Sequence, residues 1–265
     1  MTMDERVLRE QEAWDEGFDR TGFEAVWSHA GAYWDEEVDA LLKAAFAPHA
    51  DGRFLEIGSA TWQSWVHRLG TPVKDLVCIN ISQTEIDNGR AALTATTIQP
   101  DFQLMDAHDL GFDDESFDVV FGKAILHHLD YAVALDEIAR ILKPGGTMVF
   151  MEPLDFNPVM KLVRHLTPAL RTPDEKPIDH PQWRLFGERF DMQLHPIQLA
   201  AAAASPVSQK LFANPQNPLT RAAWGLDRHL RSVPGLRLWF RSGLIVGRKR
   251  ADSEKQTLTA DSLLH

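Results

Sequence analysis

FDVVFGKAILHHLDYAVALDEIARILKPGGTMVFMEP, residues 117–153, decides the fold. Phe117–Gly122 is a short apolar run that ends in glycine, and Thr147–Met151 is a second one. Between them Leu135, Ile138, Ala139 and Leu142 recur at the spacing of one helix face, and Pro144, Gly145 and Gly146 stop the helix. An apolar strand, an amphipathic helix and a second apolar strand specify a parallel βαβ unit.

The same alternation runs upstream. Val38, Leu41, Leu42, Ala45 and Phe46 form a helical stripe that ends near Pro48. Arg53–Ile57, Asp75–Ile81 and Phe102–Met105 read as strands. Trp62, Trp65, Val66 and Leu69 predict a helix after the first of them. Ser82 and Glu85, at capping-box spacing, predict a helix that starts there and runs to about Thr94. The expected fold class is α/β, a doubly wound and mostly parallel sheet with N-terminal helices and an inserted lid. Downstream, 157–166 and 219–231 look helical and 243–248 looks like a late strand. Four prolines within 168–181 argue against long regular elements there. The expected organisation is a helical cap over 1–48, a core over 49–155, a lid or substrate cap over 156–242, a strand returning to the sheet over 243–250, and a flexible tail over 251–265.

Composition narrows the function. The chain has 265 residues, with 27 Lys and Arg against 38 Asp and Glu, a formal charge of −11. Residues 1–152 carry 11 basic and 28 acidic side chains, whereas 153–250 carry 15 basic and 7 acidic ones. An acidic balance argues against nucleic acid as the main partner. A basic lid over an acidic core either binds an anionic substrate or pairs with that core. The lone cysteine, Cys78, excludes a disulfide framework and a multi-cysteine zinc site, and no metal site is expected. No apolar run reaches the roughly 18–20 residues that span a bilayer. The opening MTMDERVLREQEAW has no apolar stretch of a secretory signal. A cytoplasmic protein acting on a small molecule, without membrane or nucleic acid, is expected, with a homodimer left open.

Ligands of open α/β sheets sit beyond the carboxyl ends of the strands at the switch point. The loops expected there resemble the class I S-adenosylmethionine-dependent methyltransferases, in their small-molecule branch. FLEIGSATW (54–62) resembles the family's glycine loop after an acidic strand end. VCINIS (77–82) resembles its second strand, and the run from Leu104 to Pro153 resembles the remaining core. The resemblance implies a Rossmann-like methyltransferase fold, S-adenosylmethionine as cofactor, and methyl transfer to an oxygen or nitrogen of a small molecule. It assigns cofactor contacts to Glu56, Gly58, Ser59, Ala60, Trp62, Asn80, Ile81, Asp106, Ala107 and Lys123.

Three positions depart from the family pattern. Ala60 and Trp62 stand where the second and third glycines are usual, and Asn80 replaces the carboxylate that grips the ribose. Trp62 is either a core aromatic or an aromatic wall facing the sulfonium. Asn80 offers a weaker clamp, because charge-assisted hydrogen bonds are about twice as strong. His127 and His128 follow the fourth strand. One of them, with His127 preferred, is the expected base, and Glu152 the orienter or second base. Trp27, Tyr33, Trp34, Arg164, Arg171 and Arg184 are candidates for substrate contact, by the entrance and in the lid. Competing readings are a binding or scaffolding protein with a degenerate loop and no methyl transfer, and a dinucleotide oxidoreductase. The latter is opposed by the missing G-x-G-x-x-G pattern and by the lack of an acid near residue 80.

Overall fold

Apolar runs flanked by amphipathic helices can bury both faces only as strands between two helical layers. The computed structural model, which describes residues 3–15, 25–33, 35–93, 98–166 and 175–250, has that arrangement. Seven strands form one sheet: β1 Gly52–Ile57, β2 Val73–Asn80, β3 Asp101–Leu104, β4 Phe117–Lys123, β5 Leu142–Pro153, β6 Phe190–Ile197 and β7 Ser242–Lys249. Their order is β3-β2-β1-β4-β5-β7-β6. The first five are parallel, and β7 runs antiparallel between β5 and β6.

The helices are α1 Met3–Asp15, α2 Asp35–Phe46, α3 Gln83–Ala91, α4 Tyr131–Ile141, α5 Pro158–Leu166, α6 His180–Arg189, α7 Ala200–Leu211 and α8 Pro218–Leu230. On one sheet face, Leu55, Ile57, Val77 and Val120 pack with Leu135 and Ile138 of α4 and Phe186 of α6. On the other, Phe54, Val119 and Phe121 pack with Leu42 and Phe46 of α2, Trp62, Trp65 and Ile86 of α3. Adjacent strand residues divide between the two clusters, as a period of two requires.

Two elements differ from the sequence expectation. The segment after β1 is not an α-helix over 62–69 but a wide turn, in which Arg68 N donates to Gln63 O at 2.8 Å and Thr71 N to Val66 O at 3.0 Å. This five-residue spacing accommodates two buried indoles, Trp62 against Phe102 and Trp65 stacked on Phe121. The late strand β7 does not return alone. It pairs along its whole length with β6, so the segment expected as a lid contributes an edge strand and α6 to the sheet layer. Pro206 lies inside α7, which tolerates it. The tail, 251–265, lies outside the described residues.

The turn that follows β1 is fixed by Glu56. Its side chain is fully buried and accepts hydrogen bonds from Thr61 N and from the Cys78 thiol, the latter at 3.3 Å. Burial raises its pKa to about 7. The unfolded carboxyl titrates near 4.5, so between these values the folded chain binds the extra proton. The stability Glu56 contributes is complete below pH 4.5 and is lost as the pH rises to about 7. In Glu56→Gln the fall of stability with pH over this window should be shallower by about 1 kcal/mol per pH unit. Urea unfolding at pH 5, 6 and 7 measures it, and an unchanged slope contradicts the assignment.

Gly122 is where β4 passes closest to β1. A Cβ there would lie 2.7 Å from Ile57 O and 2.9 Å from both Ile125 Cγ2 and Phe150 Cε1. Gly122→Ala should cost about 1–3 kcal/mol through overpacking, visible as a lowered Tm.

Candidate functional site

The strand order reverses between β1 and β4, and the loops leaving their carboxyl ends open a cleft of about 860 Å³, counting the part open to solvent. Each strand end places its loop by backbone bonds across the sheet. Gly58 N donates to Ile79 O at 2.8 Å, Met105 N to Asn80 O at 2.9 Å, and Ala124 N to Met151 O at 2.8 Å. Gly58 has φ +112°, which needs a residue without a Cβ. Ser59 and Ala124 hold φ of 55° and 53°, left-handed conformations that non-glycine residues rarely adopt, at the two loops flanking the switch point.

Seven of the expected cofactor residues line the cleft: Gly58, Ala60, Asn80, Ile81, Asp106, Ala107 and Lys123. Glu56, Ser59 and Trp62 do not line it. Glu56 is enclosed beneath the loop it ties. Trp62, 1% exposed, is a core residue, and its indole therefore forms no wall of the cleft. The indole that lines the cleft is Trp14 of α1.

Asn80 joins two loops. Its Nδ2 donates to Gly58 O at 3.0 Å and to Ser59 Oγ at 3.1 Å, and its Oδ1 accepts from Ser82 N at 2.9 Å. A carboxylate has no donor for the Gly58 carbonyl, so an amide fits this position. The carboxylate on this side of the cleft is Glu85, in the first turn of α3, whose N-cap is Ser82.

Asp106 is held in place by His108. Its Oδ1 accepts from His108 N at 2.9 Å and pairs with His108 Nδ1 at 2.7 Å, while Asp130 N donates to His108 Nε2 at 2.9 Å. A ring nitrogen that accepts from a backbone N–H carries no proton, so the His108 proton sits on Nδ1, facing Asp106. These bonds from His108 hold the Asp106 carboxyl below its ordinary range, against the effect of burial. Sequence reasoning missed His108, although an Asp-x-His spacing in a loop is a signal for such a pair.

The two consecutive histidines lie with their ring centroids 4.2 Å apart. Leu126–His128 is one turn of 3-10 helix. His127, the preferred base, does not line the cleft. Its Nδ1 lies 2.7 Å from Glu152 Oε2, its Nε2 lies 3.8 Å from Glu175 Oε1, and its carbonyl accepts from Lys176 N. His128 lines the cleft instead. Glu152, 1% exposed, also accepts from Ile125 N and Leu126 N at 3.0 and 2.9 Å. It therefore holds the turn from below and does not face the cleft. Burial raises its pKa to about 7. His128 is lowered from its usual range by burial and by His127.

The expected substrate residues lie elsewhere. Trp27 packs near Ala201 and Ala223 with Arg241 over its ring, and Tyr33 contacts Trp224 and lies under Arg221. Arg164 is buried, bonded to Leu154 O and Asp155, beside a second, polar cleft bordered by Lys161, His165 and Lys176. Arg184 is exposed on α6. Trp34 and Arg171 lie outside the described residues. The basic segment pairs with acidic partners: Arg189 with Asp136, Arg231 with Glu37, and Arg250 with Asp191. The cations that line the cleft are Arg6 and Lys123. No helix among the described residues is long and apolar enough to cross a membrane.

Comparison with known proteins follows the same residues. A family model described as a methyltransferase domain matches residues 55–150. The chain is 30% identical over 125 residues to the O-methyltransferase cnsE of Penicillium expansum, covering 46% of this chain and 44% of that one. It is 30% identical over 173 residues to the dimethylglycine N-methyltransferase of Parasynechococcus marenigrum, covering 57% and 61%. The matches thus span about half the length of these relatives. Geranyl diphosphate C-methyltransferase from Streptomyces coelicolor shares the fold, with a TM-score of 0.57 at 14% identity over 82% of this chain and 79% of that one. The strand order, the cleft at the switch point and the match over 55–150 agree, and the chain carries a methyltransferase domain of the class I, S-adenosylmethionine-dependent family.

Proposed function

We propose that the protein transfers a methyl group from S-adenosylmethionine to an oxygen or nitrogen of a small molecule. The observation that carries this reading is the cleft at the β1–β4 switch point, which Gly58, Asp106 and Lys123 line together with His128 and Trp14. The residues present fit the cofactor: a loop with a positive-φ glycine, an ionised Asp106 suited to an adenine amino group, and Glu85 suited to ribose hydroxyls in place of Asn80. Lys123 and Arg6 suit a carboxylate. S-adenosylmethionine supplies a methyl group activated by a positively charged sulfur.

The chain's own contribution is to bind, align and take up a proton. Buried His128 is neutral near pH 7 and therefore able to accept the proton of a hydroxyl or amine. Trp14, edge-on to His128 at 5.6 Å between ring centroids, keeps water from that side of the imidazole. The reading takes the substrate to be a freely diffusing metabolite or natural-product intermediate and not nucleic acid, in keeping with the net charge of −11. An anionic substrate is part of it, supported by Lys123 and Arg6, and so are a cytoplasmic setting and a homodimer, the last testable by sedimentation.

Calorimetry should detect binding of S-adenosylmethionine or its demethylated product. No heat from either at millimolar ligand sinks the proposal. Glu85→Gln and Asp106→Asn should each weaken binding about tenfold, the loss of a charge-assisted hydrogen bond. His128→Ala should lower kcat about 100-fold or more while cofactor Kd moves less than tenfold. An unchanged kcat removes His128 from the chemistry.

A further inference from the structure

The imidazole of His128 does not face the cleft unaided. Its Nδ1 lies 3.2 Å from Glu10 Oε2, and both side chains are buried. Glu10 belongs to α1, and four further contacts bring that helix onto the site. Arg6 Nη2 donates to His128 O at 2.8 Å and to Leu129 O at 3.0 Å. Trp14 sets its edge against the His128 ring, and Ser82 Oγ donates to Asp15 Oδ1 at 2.5 Å. Arg6, Glu10 and Trp14 recur every four residues, so one face of α1 presents all three to the loop after β4.

We infer that Glu10 is a positioning residue for His128, its carboxylate holding the Nδ1 proton so that Nε2 is the basic nitrogen. This inference rests on the methyl-transfer reading above. When a substrate O–H or N–H bond breaks, its proton forms the new N–H bond at Nε2 and the imidazole becomes imidazolium. The Glu10 carboxylate stays ionised and stabilises that charge across Nδ1, which water would otherwise do less well in a buried site. The base of this enzyme is thus completed by a residue 118 positions away, on a helix that also walls the cleft.

The charged groups around His128 come from four elements. Arg6 and Glu10 lie on α1, His127 on the same turn, Glu152 on β5, and Glu175 on the strand-free segment before α6. Among them Glu10, with its Oε2 3.2 Å from Nδ1, favours the imidazolium by its charge, whereas His127 opposes it. Removing the Glu10 charge must therefore lower the pKa of His128, and the acid limb of kcat/KM must move to lower pH with it.

The test is a pH titration of the histidine ring signals by NMR, identifying His128 as the signal lost in His128→Gln, together with methyl-transfer kinetics. Glu10→Gln, isosteric and uncharged, should lower the His128 pKa by about one unit. It should cut kcat about tenfold or more with KM nearly unchanged, an interaction made in the transition state. Glu10→Asp, which keeps the charge, should restore most of the wild-type titration. Asp15→Ala loosens the docking of α1 at Ser82 and should leave the His128 pKa where it is. An unmoved titration in Glu10→Gln overturns the inference. So does an equal shift in Asp15→Ala, which would make the effect one of helix docking alone. Failure of the wild-type protein to bind S-adenosylmethionine overturns the functional reading instead, and leaves the titration legible on its own.

Discussion

Two carboxylates removed from water organise the site. Glu56 ends β1 and Glu152 lies near the end of β5, on either side of the switch point. Among the described residues neither has an ion partner of fixed charge within hydrogen-bond reach. Each is held by donors that the following loop supplies: Thr61 N and the Cys78 thiol for Glu56, Ile125 N, Leu126 N and the His127 ring for Glu152. A buried carboxylate without such donors costs several kcal/mol, so loops and carboxylates can be buried only together. The left-handed turns at Ser59 and Ala124 are the local strain this arrangement sustains. Everything that lines the cleft is placed by these two loops or packs on them.

The departures from the family's glycine pattern have structural explanations. Trp62 occupies the space between the turn after β1 and the sheet, and the turn widens to five residues to accept it. On this side the cleft is walled by Gly58, Ala60 and Thr61, not by Trp62. Asn80 donates to the Gly58 carbonyl, and Glu85 brings a carboxylate to the same side of the cleft within the next helical turn. The degeneration that the sequence suggests is, in three dimensions, a redistribution of the same chemical groups among neighbouring positions.

Legibility followed locality. The five parallel strands and α2, α3 and α4 are readable because each carries a periodic apolar face and its own stop signals, down to the cap at Ser82 and the break at Pro144–Gly146. The strand β6 is harder. Phe190, Met192 and Leu194 do alternate with Asp191, Gln193 and His195, as an edge strand should, but Pro196 and the proline-rich flank obscure the pattern. The helix α1 has no apolar stripe at all. The face that meets the loop after β4 is Arg6, Glu10 and Trp14, a series with no signal of its own until the helix docks. The charge step at residue 152 is real, and its visible consequence is pairing between basic and acidic segments, as at Arg189–Asp136 and Arg231–Glu37.

The sequence by itself determined the α/β class, the alternation of strands and helices through the parallel half, the loops that line the cleft and the family they resemble. These follow from periodicity and from glycines and carboxylates at strand ends, which are properties of short segments. Only the tertiary structure decided which of two adjacent histidines faces the cleft, that Trp14 and not Trp62 is its indole, and that Glu10 reaches His128. Those outcomes depend on how a single 3-10 turn packs and on the docking of a helix more than a hundred residues away in sequence. No local pattern encodes either one, because each is settled by which buried polar groups find partners when the layers close.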